Sequence, residues 1–152
     1  MLKTILGLML IVVSGIGGFW FSLRFKKKRE FYSDFSLFNQ LMQREVGFSK
    51  RTLREIFSAA SYGESFMQVI KDFEKRKTIK TSILTERENE YVRNYFDGLG
   101  KTDSVTQLAF LNAQKTVIDG YLNGAKEDER KYRPLCIKMG LLIGLVLFVL
   151  SL

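Results

Sequence analysis

The sequence contains no histidine and a single cysteine, Cys136, among its 152 residues. Histidine is the commonest general base and the commonest metal ligand, so its absence disfavours both kinds of site. One cysteine forms neither an internal disulfide nor a thiolate metal site, and Cys136 is interpreted as a small apolar residue. The carboxylates mostly neighbour basic residues, as in Glu86-Arg87-Glu88, which is typical of solvated helix surfaces. We therefore expect a protein that is not an enzyme and uses no cofactor or metal.

Proline is almost as scarce, since Pro134 is the only one in the chain. Scarce proline favours long uninterrupted helices, and Pro134 falls where a helix could kink as it enters a membrane. No segment alternates apolar and polar residues over six positions, as a half-buried strand would. The sequence therefore predicts an all-α fold.

Two stretches without charge lie near the two ends of the chain. Thr4–Leu23 contains 20 uncharged residues, and Met139–Leu152 contains 14. An α-helix needs about 20 apolar residues to cross the ~30 Å core of a bilayer. The second stretch reaches 18 residues if it begins at Leu135 and Lys138 extends to the lipid headgroups. We predict transmembrane helices over residues 1–23 and 134–152, flanking a helical bundle domain over residues 24–133.

Basic residues cluster on the domain side of both apolar stretches. They are Arg24, Lys26, Lys27, Lys28 and Arg29 after the first stretch, and Arg130, Lys131, Arg133 and Lys138 around the second. Such flanks remain cytoplasmic and contact lipid headgroups. The sequence predicts a membrane protein with a cytosolic domain and both termini extracytoplasmic. A cleaved signal peptide is disfavoured, because the larger cluster follows the first run and Phe19-Trp20-Phe21 occupies the cleavage region.

The net charge of +8 is not spread over the domain. Residues 30–129 hold all 16 acidic residues against 14 basic ones, which gives a net charge of −2. The excess positive charge therefore lies at the membrane boundaries, where it favours contact with anionic lipid. We expect the lipid bilayer as a partner and no nucleic acid.

Apolar residues between the two stretches recur at helical spacing. Phe31, Phe35, Phe38 and Met42, widened by Leu37 and Leu41, predict a helix that continues the first membrane segment and ends near Gly47. Further helices are predicted after Ser49 with Leu53, Ile56, Phe57 and Ala60, over 66–73, and over 85–96. A long last helix, capped by Asp103 or by Ser104 with Gln107, carries Phe110, Ala113, Val117, Tyr121 and Gly124 beside Leu111, Ile118, Leu122 and Ala125. Thirteen phenylalanines are expected to supply much of the core.

The tripeptide Gly100-Lys101-Thr102 is similar to the end of a phosphate-binding loop. The full motif has another glycine five positions earlier, a strand before it and a helix after it. That earlier position is Tyr95, and the residues around it have helical spacing. Gly98 and Gly100 are instead predicted to end a helix and turn the chain. Nucleotide binding is not expected here.

Small residues recur four positions apart in both apolar stretches, as Ser14 with Gly18 and as Gly140 with Gly144. Small residues at this spacing let helix backbones approach closely in lipid. The pattern predicts that the two segments pack together or oligomerise, so a homo-oligomer is one expectation.

Three local stretches, in this order, resemble the stage III sporulation protein AB family of endospore-forming bacteria over nearly the whole chain. They are Leu41-Met42-Gln43-Arg44-Glu45-Val46-Gly47-Phe48, the turn Leu99-Gly100-Lys101-Thr102-Asp103 followed by Gln107, and the Gly-Leu-rich tail from Gly140-Leu141-Leu142. One departure is the turn after Gly47, where Ser49-Lys50-Arg51-Thr52 stands and a proline is expected.

The resemblance implies a domain similar to one helical domain of the inner-membrane platform protein of type II secretion and type IV pilus systems. It implies a non-catalytic platform in the mother-cell membrane around the forespore. Its partners would be a secretion-type cytosolic ATPase and other membrane proteins of the mother cell–forespore channel. The expected contact regions are 72–93 and the turn with Gly98, Gly100 and Asp103. The alternatives are a small membrane-anchored regulator or sensor that binds a soluble cytosolic partner, and an enzyme using carboxylates, for which no site is recognisable.

Overall fold

The computed structural model describes residues 2–48, 55 and 60–151. These residues form four helices and no strand, which confirms the predicted all-α fold class. The helices are α1 (Leu2–Phe48), α2 (Glu64–Glu74), α3 (Glu86–Gly98) and α4 (Ser104–Ser151). The short helix predicted after Ser49, with Leu53, Ile56 and Phe57, lies outside the described residues.

The first and last helices are long, with 47 residues in α1 and 48 in α4. Each continues from an apolar stretch into polar sequence without interruption, as the scarcity of proline predicted. Pro134 lies inside α4, where it has no backbone N–H to donate to the helix. Both helices are long and apolar enough to cross a membrane.

The chain divides into two compact units, which are described separately. The terminal unit comprises residues 1–27 and 125–152, and the central unit comprises residues 28–124. The central unit is narrower than the predicted domain over residues 24–133. The bounds 24–133 stay a prediction, and α1 and α4 pass through the limits of the two units without any change of secondary structure.

Aromatic side chains from α1 form the centre of the core of the central unit. The predicted stripe of Phe31, Phe35, Phe38 and Met42 is at most 2% exposed. The ring centroid of Phe35 lies 4.7 Å from that of Tyr95, in an edge-to-face arrangement. Aromatic pairs of this kind contribute about 0.5–1.5 kcal/mol beyond their buried area. Leu37, expected to widen the stripe, is 39% exposed, so that part of the prediction is wrong.

The other helices of the central unit close over this stripe with apolar faces of their own. They contribute Phe66, Val69 and Ile70 from α2, Val92, Tyr95 and Phe96 from α3, and Leu111 and Ile118 from α4. The predicted face of α4 was too broad, because Val117 is 43% exposed and a Cβ on Gly124 would meet nothing within 4 Å. The buried positions Leu111 and Ile118 are seven residues apart, so the buried side of α4 is a narrow stripe rather than a wide face.

Candidate functional site

The terminal unit is built around direct contact between the backbones of α1 and α4. Ser14 Oγ donates a hydrogen bond of 2.5 Å to the carbonyl oxygen of Gly140. Contacts pair rising numbers on α1 with falling numbers on α4, from Ile11 with Gly144 to Gly18 with Cys136. The two helices of this unit therefore run antiparallel.

Three of the predicted small residues lie where no side chain fits. A Cβ on Gly18 would lie 2.7 Å from the carbonyl oxygen of Cys136, and one on Gly140 would lie 2.9 Å from that of Ser14. A Cβ on Gly144 would lie 2.8 Å from the Cα of Ile11. Gly17, by contrast, has open space where its Cβ would be. The structure thus brings Ser14, Gly18, Gly140 and Gly144 to one seam, where close approach requires small residues.

Large apolar side chains cover the surface of the terminal unit that faces away from this seam. They include Leu8, Met9, Val12, Val13, Ile16 and Trp20 on α1, and Leu141, Leu142, Ile143, Leu145, Val149 and Leu150 on α4. Trp20 is 75% exposed and Leu150 is 78% exposed. An apolar surface of this extent marks a membrane or partner interface in a folded protein.

The basic residues predicted to flank the membrane are divided between the two units. Arg24, Lys26 and Lys27, and all four basic residues from Arg130 to Lys138, belong to the terminal unit, whereas Lys28 and Arg29 belong to the central unit. Lys28 Nζ lies 2.8 Å from Glu88 Oε1, and Arg133 Nη1 lies 3.1 Å from Glu129 Oε1. These two cations therefore have carboxylate partners within their own units.

A buried carboxylate can indicate a functional site, but the contacts of Glu88 show that it has a structural role. It is 7% exposed, so the interpretation of Glu86-Arg87-Glu88 as a solvated surface is wrong for this residue. Its carboxylate accepts hydrogen bonds from the backbone N–H and the hydroxyl of Thr85, both at 2.8 Å, which cap α3. Burial favours the neutral acid, but the hydrogen bonds from Lys28 and Thr85 prevail and lower the pKa of Glu88 below its usual value.

A second polar group inside the central unit joins three helices. Tyr95 donates its hydroxyl hydrogen to Asn39 Oδ1 at 2.9 Å, and Asn39 Nδ2 donates to the carbonyl oxygen of Leu111 at 3.2 Å. Gln43 Nε2 donates to the same carbonyl oxygen at 3.0 Å. Burial raises the pKa of Tyr95 well above its usual value. These groups satisfy one another, so they fix the packing of the helices rather than offer a reactive site.

The turn between α3 and α4 is held by its own side chains. Gly100 has a φ of 71°, and its N–H donates to Gln107 Oε1 at 3.1 Å. Asp103 Oδ2 accepts from the N–H groups of Val105 and Thr106 at 3.2 Å, and hydrogen bonds from Thr106 lower the pKa of Asp103. Asp103 is thus the cap of α4, and the predicted alternative of Ser104 with Gln107 is wrong. The N–H groups of Gly100, Val105 and Thr106 are therefore engaged within the turn itself.

A cleft of about 360 Å³ lies within the central unit, in and beside the stretch over residues 72–93 that was predicted to contact a partner. Its lining residues are Phe73, Arg76, Lys77, Thr78, Ile79, Arg93 and Asp97. The chemical character of the cleft is therefore basic at its edge and apolar at Phe73 and Ile79. In the part of the chain that the structure describes, no group of three or more His, Cys, Asp or Glu side chains could hold a metal ion.

Comparison with known protein families gives a match over nearly the whole chain. The family model described as stage III sporulation protein AB matches residues 3–152, which confirms the resemblance noted in the sequence. No curated protein and no solved structure shows significant similarity to the chain.

Proposed function

The chain belongs to the stage III sporulation protein AB family, and from this we propose that it is a non-catalytic platform in a bacterial membrane during endospore formation. In this proposal the terminal unit anchors the protein twice in the bilayer. The central unit docks a secretion-type cytosolic ATPase and links it to other membrane proteins of the channel between mother cell and forespore. A role in sporulation follows from the family, and the platform role is our inference.

The observation that supports this proposal best is the form of the two long helices. Each apolar span continues, within one helix, into the aromatic core of the central unit. A domain that is anchored in the membrane at two points of its chain is restrained against displacement by a partner that exerts force on it. A single flexible tether would offer no such resistance. This property suits a protein that couples an ATPase to an assembly.

The polar side chains of the central unit support a non-catalytic role. The buried ones described above, Asn39, Glu88 and Tyr95, are engaged in hydrogen bonds that cap or join helices. A general acid or base needs a free face directed at a substrate. Their engagement leaves them to act as structural groups, so the activity we propose is that of a docking surface.

The proposal predicts a cytosolic central unit and an extracytoplasmic position for both termini. The basic residues on the central side of each span support this orientation, since such residues are retained in the cytoplasm. Cysteine labelling in intact cells tests it directly, with Cys136→Ala as background and Lys101→Cys as the reporter. Labelling of Lys101→Cys by an impermeant reagent before cell lysis would contradict the orientation.

Site-specific photo-crosslinking in sporulating cells tests the partner. A crosslinker placed at Thr78 or Lys101 of the full-length protein is expected to capture a secretion-type ATPase. The matched control at Leu142, on the apolar surface of the terminal unit, is expected to capture no ATPase. Capture of one soluble signalling protein instead of an ATPase would overturn the platform and favour the membrane-anchored regulator.

A further inference from the structure

The cleft of the central unit combines unneutralised positive charge with an apolar floor. It lies between the end of α2, the segment after it, and one side of α3. Ile79 is 3% exposed, and the ring of Phe73 packs against Phe96 at 5.2 Å between centroids. Arg76 and Lys77 are exposed at the edge, and neither forms an ion pair within the described part of the chain. Arg93 reaches Glu86 only at 4.0 Å, the outer limit of an ion pair.

Arg76 holds a backbone conformation that ordinarily belongs to glycine. Its φ is 53°, and it follows the end of α2. The N–H of Lys77 donates to the carbonyl oxygen of Asp72 at 2.8 Å, and the N–H of Arg76 donates to that of Phe73 at 3.0 Å. This is the Schellman pattern, in which glycine is favoured at the position of Arg76. Glycine would suit the fold better at this strained position, so an arginine here indicates a role in the neighbouring cleft.

We infer that this cleft binds an acidic peptide segment of a protein partner, with a carboxylate held by Arg76 and Arg93 and an apolar neighbour resting on Phe73 and Ile79. The inference depends on the proposed function only in requiring that the central unit has a protein partner. Guanidinium groups bind carboxylates through paired hydrogen bonds, which gives such contacts geometric specificity.

The charges of the cleft favour a carboxylate over a polyphosphate. Two arginines and one lysine face a single acid, Asp97, so the net charge of the lining is +2. Asp97 lies one helical turn from Arg93 on α3 and would repel a multiply charged phosphate more strongly than one carboxylate. The ring of Phe73 is already packed against Phe96, so it is not a free stacking platform for a base.

The test is selection of a random peptide library on the purified full-length protein in nanodiscs of zwitterionic lipid. The selected peptides are expected to be rich in Asp and Glu next to apolar residues. Arg93→Gln is expected to weaken their binding about tenfold, as the loss of one charge-assisted contact does. Lys115→Gln removes an exposed cation outside the cleft and is expected to leave the affinity within about twofold.

Arg76→Gly separates binding from folding. Glycine relieves the backbone strain, so this variant is expected to melt at a higher temperature while binding the acidic peptides about tenfold more weakly. Selection of peptides without acidic residues, or equal losses in the cleft and control variants, would overturn the inference. The experiment contains no ATPase, so its failure is distinguishable from a failure of the crosslinking experiment above.

Discussion

The two units of this protein hold their helices together by opposite means. In the terminal unit, backbone meets backbone at Gly18 and Gly140, and the large side chains lie on the outside. In the central unit the large side chains are inside, and aromatic rings separate the helices. In lipid an apolar side chain gains nothing by leaving its surroundings, so close backbone packing must hold helices together. In water the burial of large apolar groups is the main source of stability.

The largest effect should come from removing an aromatic ring of the central unit. Phe35→Ala is expected to destabilise the protein by about 3–5 kcal/mol, because the cavity left among rigid neighbours cannot close fully. Chemical denaturation of the full-length protein in micelles, followed by circular dichroism, measures this. Val105→Ala, at a position 79% exposed, serves as the control and should change stability by less than about 0.5 kcal/mol. Similar losses in both variants would show that aromatic packing does not set the stability of this unit.

The next effect concerns the glycine seam of the terminal unit. Gly140→Leu is expected to separate α1 from α4, because overpacking of this kind costs about 1–3 kcal/mol. Cysteines placed at Phe25 and Tyr132, whose rings stack at 5.6 Å, report the separation by losing their thiol crosslink in a Cys136→Ala background. Gly17→Leu, on the same helix but with open space at its Cβ, should retain the crosslink. If both variants crosslink equally, glycine packing is not what joins these helices.

An effect of similar size is expected at the ion pair of the central unit. Glu88→Gln should destabilise the protein by about 2 kcal/mol, the scale of a lost hydrogen bond to a charged group. The lowered pKa of Glu88 makes its contribution complete above the usual value of 4.5, and the contribution is lost as pH falls through the lowered pKa. The free energy of unfolding, measured from neutral to acid pH, should therefore fall less in the variant than in the unchanged protein.

Two comparisons test whether Glu88 causes this loss of stability at acid pH. Glu86→Gln is a matched change at an exposed side chain whose ion pair with Lys80 is open to solvent, and it should alter stability less than Glu88→Gln does. Burial raises the pKa of Asp34, so its ionised form destabilises the protein at neutral pH, and this destabilisation is relieved as pH falls through that raised pKa. If the Glu88→Gln variant loses as much stability at acid pH as the unchanged protein, another carboxylate causes that loss.

The smallest effect should be a gain. Gly120 lies inside α4 with open space where its Cβ would be, so Gly120→Ala is expected to stabilise the protein by about 0.5–1 kcal/mol through helix propensity. Thermal unfolding in micelles measures it, beside Gly18→Ala as the contrasting substitution. The same chemical change should destabilise at Gly18, because its Cβ would meet the backbone of α4. Gains at both positions would remove the distinction between the two kinds of packing.

Local pattern predicted the helices and the centre of the core, but not how the helices face one another. The spacing of Phe31, Phe35 and Phe38 is periodic within one segment, so it identified buried residues correctly. The pairing of Lys28 with Glu88 joins residues far apart in the chain, and no periodicity records it. The exposure of Val117 likewise depends on which side of α4 meets the other helices.

The sequence predicted the region that contains the cleft but not the arrangement of its residues. Its basic residues lie within the polar stretch 72–93, yet the position of Arg76 depends on a backbone angle that its sequence neighbours do not encode. A glycine there would have indicated a helix end. An arginine gave no such signal, so the strained turn and the charge it carries emerge only from the fold.

The position of the single tryptophan has an optical consequence. Trp20 lies in the terminal unit on its outward surface, whereas Tyr32, Tyr62, Tyr91, Tyr95 and Tyr121 lie in the central unit. Selective excitation of indole therefore reports the terminal unit alone, whereas tyrosine emission includes Tyr132 of that unit as well as the five tyrosines of the central unit. Changes in the terminal unit can therefore be followed by indole emission in the unlabelled protein.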